Sequence, residues 1–302
     1  GAYLLASLFT FFWVEKFFSR NIADLRPLFE WMPVLLIFLV STLTMKMWSE
    51  ERRAGTVEFL LTMPVKTSEL VLGKFFACMA LVSIGMALTF GLAVSVSLMG
   101  PLDWGPVIAA YLASLLLAGA YTSIGLYVSS KTESQIVSLI LTALLCLCFY
   151  IVGSDILVSF LGNKAGESLK LVGTGSRFLS ISRGVVDFRD VYYYVSLAAV
   201  FLSLNVFSIN QLKWATGDYK PQHSAQRAAV WLLVLNLVAA NFWLHSFRRA
   251  RFDMTQNRNY SISEATRTVI DQLEEPLLLR GYFSARTHPL LAPLVPTVRD
   301  ML

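Results

Sequence analysis

The sequence predicts an all-α polytopic membrane protein, a bundle of apolar helices that leads into the start of an α/β domain. Three observations predict it. Hydrophobic residues make up 56% of the 302-residue chain and charged ones only 15%, with a mean hydropathy of +0.60, so the main solvent is lipid. The apolar residues gather into seven segments, most of them close to the roughly 20 residues that a helix needs to cross a bilayer. Past residue 247 the pattern changes to short stretches of mixed polarity punctuated by caps and prolines.

Segment one, Gly1 to Val14, is short for a span and is read as truncated or continued through Phe17 and Phe18. The chain opens inside this apolar run, without an initiator Met or a charged leader, as expected of a piece of a longer protein. Segment two, Phe29 to Trp48, carries Ser41, Thr42, Thr44 and Lys46 towards its end, which predicts that one face looks inward. Segment three, Phe75 to Met99, stops at a turn made by Gly100, Pro101, Asp103 and Gly105. Segment four, Pro106 to Val128, holds Ala113, Ala118, Gly119, Ala120, Ser123 and Gly125, small enough for close helix contact. Only Ser129 to Gln135 separates it from segment five, Ile136 to Val152, so the two predict a helical hairpin.

Between residues 153 and 194 the apolar patches Ile156 to Leu161 and Phe178 to Ile181 are too short to span and predict re-entrant or interfacial helices. Arg183, Asp187, Arg189 and Asp190, ahead of Tyr192 to Tyr194, read as a solvated, locally paired anchor at the interface. Segment six, Val195 to Leu212, holds Asn205 and Asn210, and residues 213–227 read as a polar linker. Segment seven runs from Ala228 to Phe247. Arg248, Arg249 and Arg251 close it, and Ser261 with Glu264 forms a capping box ahead of an amphipathic helix. Leu277 to Phe283 then reads as a strand and Leu290 to Leu302 as a further helix.

The rest is organised around Glu50 to Lys74. Glu50, Glu51, Arg52 and Arg53 are too costly at bilayer depth, so segment two must end there. Gly55 and Thr56 offer a helix start with Glu58 in its first turn, Pro64 stops that helix, and Thr67 and Ser68 can cap the next. Val57, Leu60 and Leu61 share a face that could lie in the groove of a soluble partner.

This order of an acidic-basic cluster, Gly-Thr, Glu-x-Leu-Leu, Pro and Gly-Lys resembles the cytoplasmic coupling segment of ABC type-2 transporter permeases. The matching residues are Glu50, Glu51, Arg52, Gly55, Thr56, Glu58, Leu60, Leu61, Pro64, Gly73 and Lys74. The run from Arg183 to Tyr192 is similar to the start of the family's sixth helix. The tail, Arg251 to Thr255, Asn259 to Thr266, Leu273 to Pro276 and Tyr282-Phe283, resembles the opening of the auxiliary component of gliding-motility-type ABC transporters. The resemblance implies a natural fusion. A six-helix permease (residues 1–215) would be followed by a cytoplasmic linker (216–227), a seventh membrane helix (228–247) and the start of an extracytoplasmic domain (248–302).

The same resemblance implies a permease subunit in a bacterial inner membrane, paired with a second copy and driven by a dimeric ABC ATP-binding subunit that carries ATP and Mg. The implied transport is export, through a pathway for which Ser41, Thr42, Thr44 and Asn205 are candidate lining residues. The alternative is a mechanical device or gliding-motility scaffold that moves no substrate. No G-x-x-x-x-G-K-[ST] run is present, so a phosphate-cradling loop, cofactor or catalytic role is not expected of this chain. His223, His245 and His288 are too dispersed for a metal set, and Cys78, Cys146 and Cys148 read as packing residues. No basic stripe with interleaved aromatics points to nucleic acid. Lys and Arg number seven in the proposed inner loops and eight in the outer ones, so charge does not fix sidedness, and orientation rests on the resemblance.

Overall fold

A computed structural model describes residues 1–20, 24–152, 172–215, 221–245 and 251–256, with the single positions 268 and 272. Six helices among the described residues are long and apolar enough to cross a membrane. The chain runs α1 (Ala2–Phe9), a π-helical turn (Thr10–Val14), α2 (Phe17–Arg20), α3 (Arg26–Thr44), α4 (Ser49–Arg53), α5 (Thr56–Thr62), α6 (Thr67–Met99), α7 (Trp104–Lys131) and α8 (Gln135–Val152). There follow α9 (Thr174–Ser182), strand β1 (Val185–Asp187), α10 (Phe188–Ala215), α11 (Pro221–His245) and strand β2 (Arg251–Asp253). The sequence patch Ile156 to Leu161, the capping box at Ser261 and everything proposed for 277–302 lie outside the described residues.

Segment one forms α1 and the π-helical turn, and neither is among the six candidate spans. Segment seven is one of the six, Ser224–Leu244, although its helix already begins at Pro221. Proline suits that first helical position because its missing N–H has no partner there to lose. The linker is thus partly helix, because nothing in 221–227 opposes the helix that the apolar run demands. Segment six likewise starts earlier than its apolar run, at Phe188.

The centre of the bundle is α7. Of its most apolar window 72% is buried, against 28% for α6 and α10, 17% for α8 and none for α11. Its small residues explain this, since Ala109, Ala110, Ala113, Ala118 and Ala120 let α3, α8 and α10 approach along its length. In the middle of the bundle the approach is close at Gly125, where a Cβ would occupy the place of the Thr44 side chain and reach Thr142 at 3.0 Å. The short helix α9 is amphipathic rather than spanning and buries Phe178 and Ile181 against α7 and α8. Buried Thr174 bonds Tyr121 Oη through its hydroxyl at 3.1 Å and accepts from Tyr194 Oη at its carbonyl at 2.7 Å.

The two ends of the bundle differ in kind. At one end lie α4, α5, the α7–α8 loop and the last turns of α10, linked by Arg52 to Ser130 and Glu133, and by Lys131 to Gln211. At the other lie the α6–α7 turn, α9, the start of α10 and the segment Arg251–Gln256, whose β2 pairs antiparallel with β1. These are called the elbow end and the strap end. The capping of α6 departs from the sequence expectation. Lys66 is its N-cap and Thr67 already lies in the helix, because the Glu69 carboxylate reaches back to accept from Lys66 N at 3.4 Å.

The Gly125 contact predicts that Gly125→Val lowers the thermal stability of the detergent-solubilised protein, by overpacking of about 1–3 kcal/mol. Gly91→Val, where a Cβ meets nothing within 4 Å, is expected to leave the melting temperature unchanged.

Candidate coupling elbow

The elbow begins where α3 unwinds at Met45 and the chain turns through Trp48 into α4. Glu50 and Glu51 occupy the first turn of α4 and Arg52 and Arg53 its last, the arrangement that complements a helix dipole. Gly55 then adopts φ +71°, a left-handed conformation that costs a residue with a Cβ, and this bend starts α5. Met63 is extended, the conformation that a following proline favours, so α5 ends and Pro64 turns the chain towards α6.

The base of this elbow is gripped by the bundle. Ser129 Oγ, fully buried near the end of α7, accepts from Trp48 N at 3.1 Å and Ser49 N at 3.2 Å and donates to Met45 O at 3.3 Å. One hydroxyl therefore satisfies two of the N–H groups that open α4. Arg52 donates to Ser130 O at 2.5 Å and faces Glu133 at 3.5 Å. Lys74, on the first turns of α6, donates to Met47 O and to Glu51 Oε1, both at 2.5 Å, with its ammonium 4.3 Å from the Trp48 ring centre. Trp48 is itself fully buried and packs with Val71, Leu126 and Ile209.

The tip is free. Glu50, Gly55, Thr56, Glu58 and Pro64 are exposed, while Val57 is buried and Leu60 and Leu61 are half-buried, Leu61 against the Trp48 cluster. Part of the apolar face that the sequence offers to a partner, Val57 and Leu61, is thus turned inward. The face left bare is Phe59, 67% exposed, with Met63 and Val65 beside it. These three escape a periodicity search because they are off the Val57-Leu60-Leu61 stripe, and only the fold says which stripe is used. Gly73 is exposed at the root of α6, beside the gripped Lys74.

The pathway candidates do not share one environment. Ser41, Thr44 and Asn205 are buried, whereas Thr42 is exposed and bonds Phe38 O at 2.8 Å. Thr44 donates to Val40 O at 2.9 Å, while Ser41 Oγ and both amide atoms of Asn205 find no hydrogen-bond partner. At the strap end, Arg189 Nε donates to Asp187 Oδ2 at 2.9 Å, and Arg177 pairs with Asp190 at 2.7 Å and stacks over Tyr193 at 4.3 Å. Arg183 is half-buried beside them. The pairing is local, as the sequence suggests, but the anchor is not solvated: Asp187 and Asp190 are buried under α9 and the neighbouring strands.

Residues 7–181, more than half of the chain, match a family described as ABC-2 family transporter protein. The chain belongs to that family. No curated protein and no solved structure matches it. The matched region contains the whole elbow, α7 and all but the last residue of α9, and stops just before β1. ABC-2 transporter proteins are multi-pass membrane permease subunits, not catalytic themselves, and normally work with an ABC ATP-binding subunit.

Loss of the Ser129 hydroxyl tests the grip. In Ser129→Ala, the amides of Trp48 and Ser49 lose their acceptor in a buried site, a cost of about 1–3 kcal/mol. Hydrogen exchange at those two amides is expected to accelerate in the full chain while exchange in the centre of α7 stays as it is.

Proposed function

We propose that this ABC-2 permease couples ATP hydrolysis in a separate, dimeric ABC subunit to export across a bacterial inner membrane, with the elbow end in the cytoplasm. The observation that carries the reading is the contrast within one segment: a tip with Phe59, Met63, Val65 and Glu58 bare, on a base that Ser129, Arg52 and Lys74 tie into α7 and α6. A partner that pushes on such a tip pushes on the rods behind it. An exposed aromatic flanked by a carboxylate is the chemistry of an anchor that fills a pocket on a soluble protein. ATP and Mg belong to that partner.

A second copy of the chain completes the permease in this reading. Its support is the apolar stripe Ile136, Ile140, Leu144 and Leu147 on α8, a helix with little of its surface covered within one protomer. Buried Ser41 and Asn205 are the pathway candidates that remain polar and unpaired, and an opening between the copies would bring them to water. The gliding-motility assignment, and an extracytoplasmic C-terminal part reached through α11, rest on the resemblance of the tail. The mechanical alternative, in which the stroke is delivered outside and nothing crosses, is favoured by the joining of Arg251–Gln256 to the far end of the bundle.

Co-purification decides the docking assignment. In Glu58→Arg combined with Phe59→Ala, the ATPase is expected to fall to below about a tenth of its wild-type occupancy, the loss of one anchor of 2 kcal/mol or more. The yield of the membrane chain should not change. An ATPase retained at full occupancy removes the elbow as its docking site.

A further inference from the structure

The strap end carries an arrangement that lies beyond the region shared with the family. β2 pairs with β1 in the register Val185 to Asp253, Val186 to Phe252 and Asp187 to Arg251. Beyond β2, Met254 N donates to Gly184 O at 2.9 Å and Gln256 N to Asp103 Oδ2 at 3.3 Å. Asp253 Oδ1 accepts from both Thr255 N at 3.0 Å and Thr255 Oγ1 at 2.6 Å, which folds the segment back onto the bundle. The approach is close enough that a Cβ on Gly105 would coincide with the Met254 carbonyl. Thr255 is buried in the process.

The points of attachment matter more than their number. Asp103 is the N-cap of α7, its Oδ1 accepting from Gly105 N at 3.0 Å, so one carboxylate holds both the start of α7 and the strap. β1 runs directly into α10. The same two helices take the elbow at their other ends, α7 through Ser129 and Ser130, and α10 through the 3.1 Å contact of Ser130 Oγ with Ser208 Oγ. A helix of 28 residues is about 42 Å long, so α7 alone reaches from one attachment to the other. By contrast α11, the chain's own connection to the strap, lies outside α10 with none of its apolar window buried, and Asn241 donates to Ser196 at 2.7 Å.

We propose that Arg251–Gln256 is a strand-addition latch for which β1, Gly184 and the α6–α7 turn form the docking surface. Through it, movement of α7 and α10 is handed to the chain that follows Gln256. This rests on the elbow being the ATPase-driven input. The output is the latch and not the length of α11, which packs mainly along α10.

The test uses the full chain in lipid nanodiscs with its co-purified ATPase, read by hydrogen exchange at residues 252–256. Met254→Pro removes one latch donor together with a side chain that packs on the bundle, and Gly105→Val fills the space of the Met254 carbonyl. Both are expected to speed exchange at 252–256 about tenfold or more, with Gly91→Val as the silent control. Vanadate trapping of the ATPase is expected to shift wild-type exchange at 252–256 by at least about threefold and to leave Met254→Pro unmoved, with the ATPase still bound. Wild-type exchange at 252–256 as fast as in an unfolded peptide overturns the latch. A protected strap that ignores trapping, with ATPase bound, overturns the transmission and leaves the docking assignment standing. Failure of the ATPase to co-purify at all brings down the input reading and the transmission with it, while exchange in the absence of nucleotide still decides whether the latch exists.

Discussion

Lipid supplies no hydrogen bonds, so every backbone group exposed where a helix ends must be answered by the protein or by water. The elbow is built on that constraint. α3 gives up its ladder at Met45, at the edge of the bundle, and the groups it frees are collected by Ser129 and Lys74. The residues that satisfy the break thereby become its mechanical attachment. A hydroxyl at the end of α7 that must cap α4 also fixes the position of α4, and an ammonium that must be neutralised by Glu51 binds α6 to the same joint. Chemistry that makes the turn tolerable makes it rigid at the base.

The same constraint bears on the middle of the bundle, where it is met less completely. Asn205, Ser41, Thr122, Ser138 and Thr142 have buried polar atoms without partners within the protomer. Each is costly in a dry apolar setting, and helix packing around α7 is too tight at Gly125 for much rearrangement in place. Relief requires water to enter or the helices to move as units. An interior of closely packed small residues with polar atoms left over suits discrete arrangements better than continuous flexing, which agrees with the proposed ATPase-driven role.

Six of the seven apolar segments were legible as span-length helices because length and apolar composition suffice for them, and segment one was not. The helix break of the elbow was legible because four charged residues, Gly55 and Pro64 each leave a physical mark. Facing was not. Val57, Leu60 and Leu61 form a proper stripe, yet a stripe states only that one side is apolar, and here Leu61 packs on the Trp48 cluster and Val57 is buried. The burial of Asp187 and Asp190 was hidden for a related reason, since charges next to tyrosines read as an interface anchor until their cover is known. The latch left least trace of all. Arg251 to Asp253 is too short for period-two alternation to register, and its partner lies more than sixty residues earlier. The cap of α6 was misplaced by one residue because Glu69 can close the turn from inside the helix and needs no hydroxyl at its start.

The choice between a pathway and a lever turns on where a push at the elbow can go. Under the proposed coupling, Ser129 and Ser130 would hand it to α7 and, through Ser208, to α10, and both helices are joined at their far ends to the β1–β2 pair and Asp103. If those far ends were loose, the stroke would be spent on separating helices in the membrane, and a route between them would be its natural product. They are not loose: one carboxylate, one strand pair and one close glycine contact tie them to a segment outside the family's shared region. Under the proposed coupling, a stroke that opens a route would also displace the strap, so transport and mechanical output would be two readings of one movement, and the substrate question would reduce to whether water follows the helices apart.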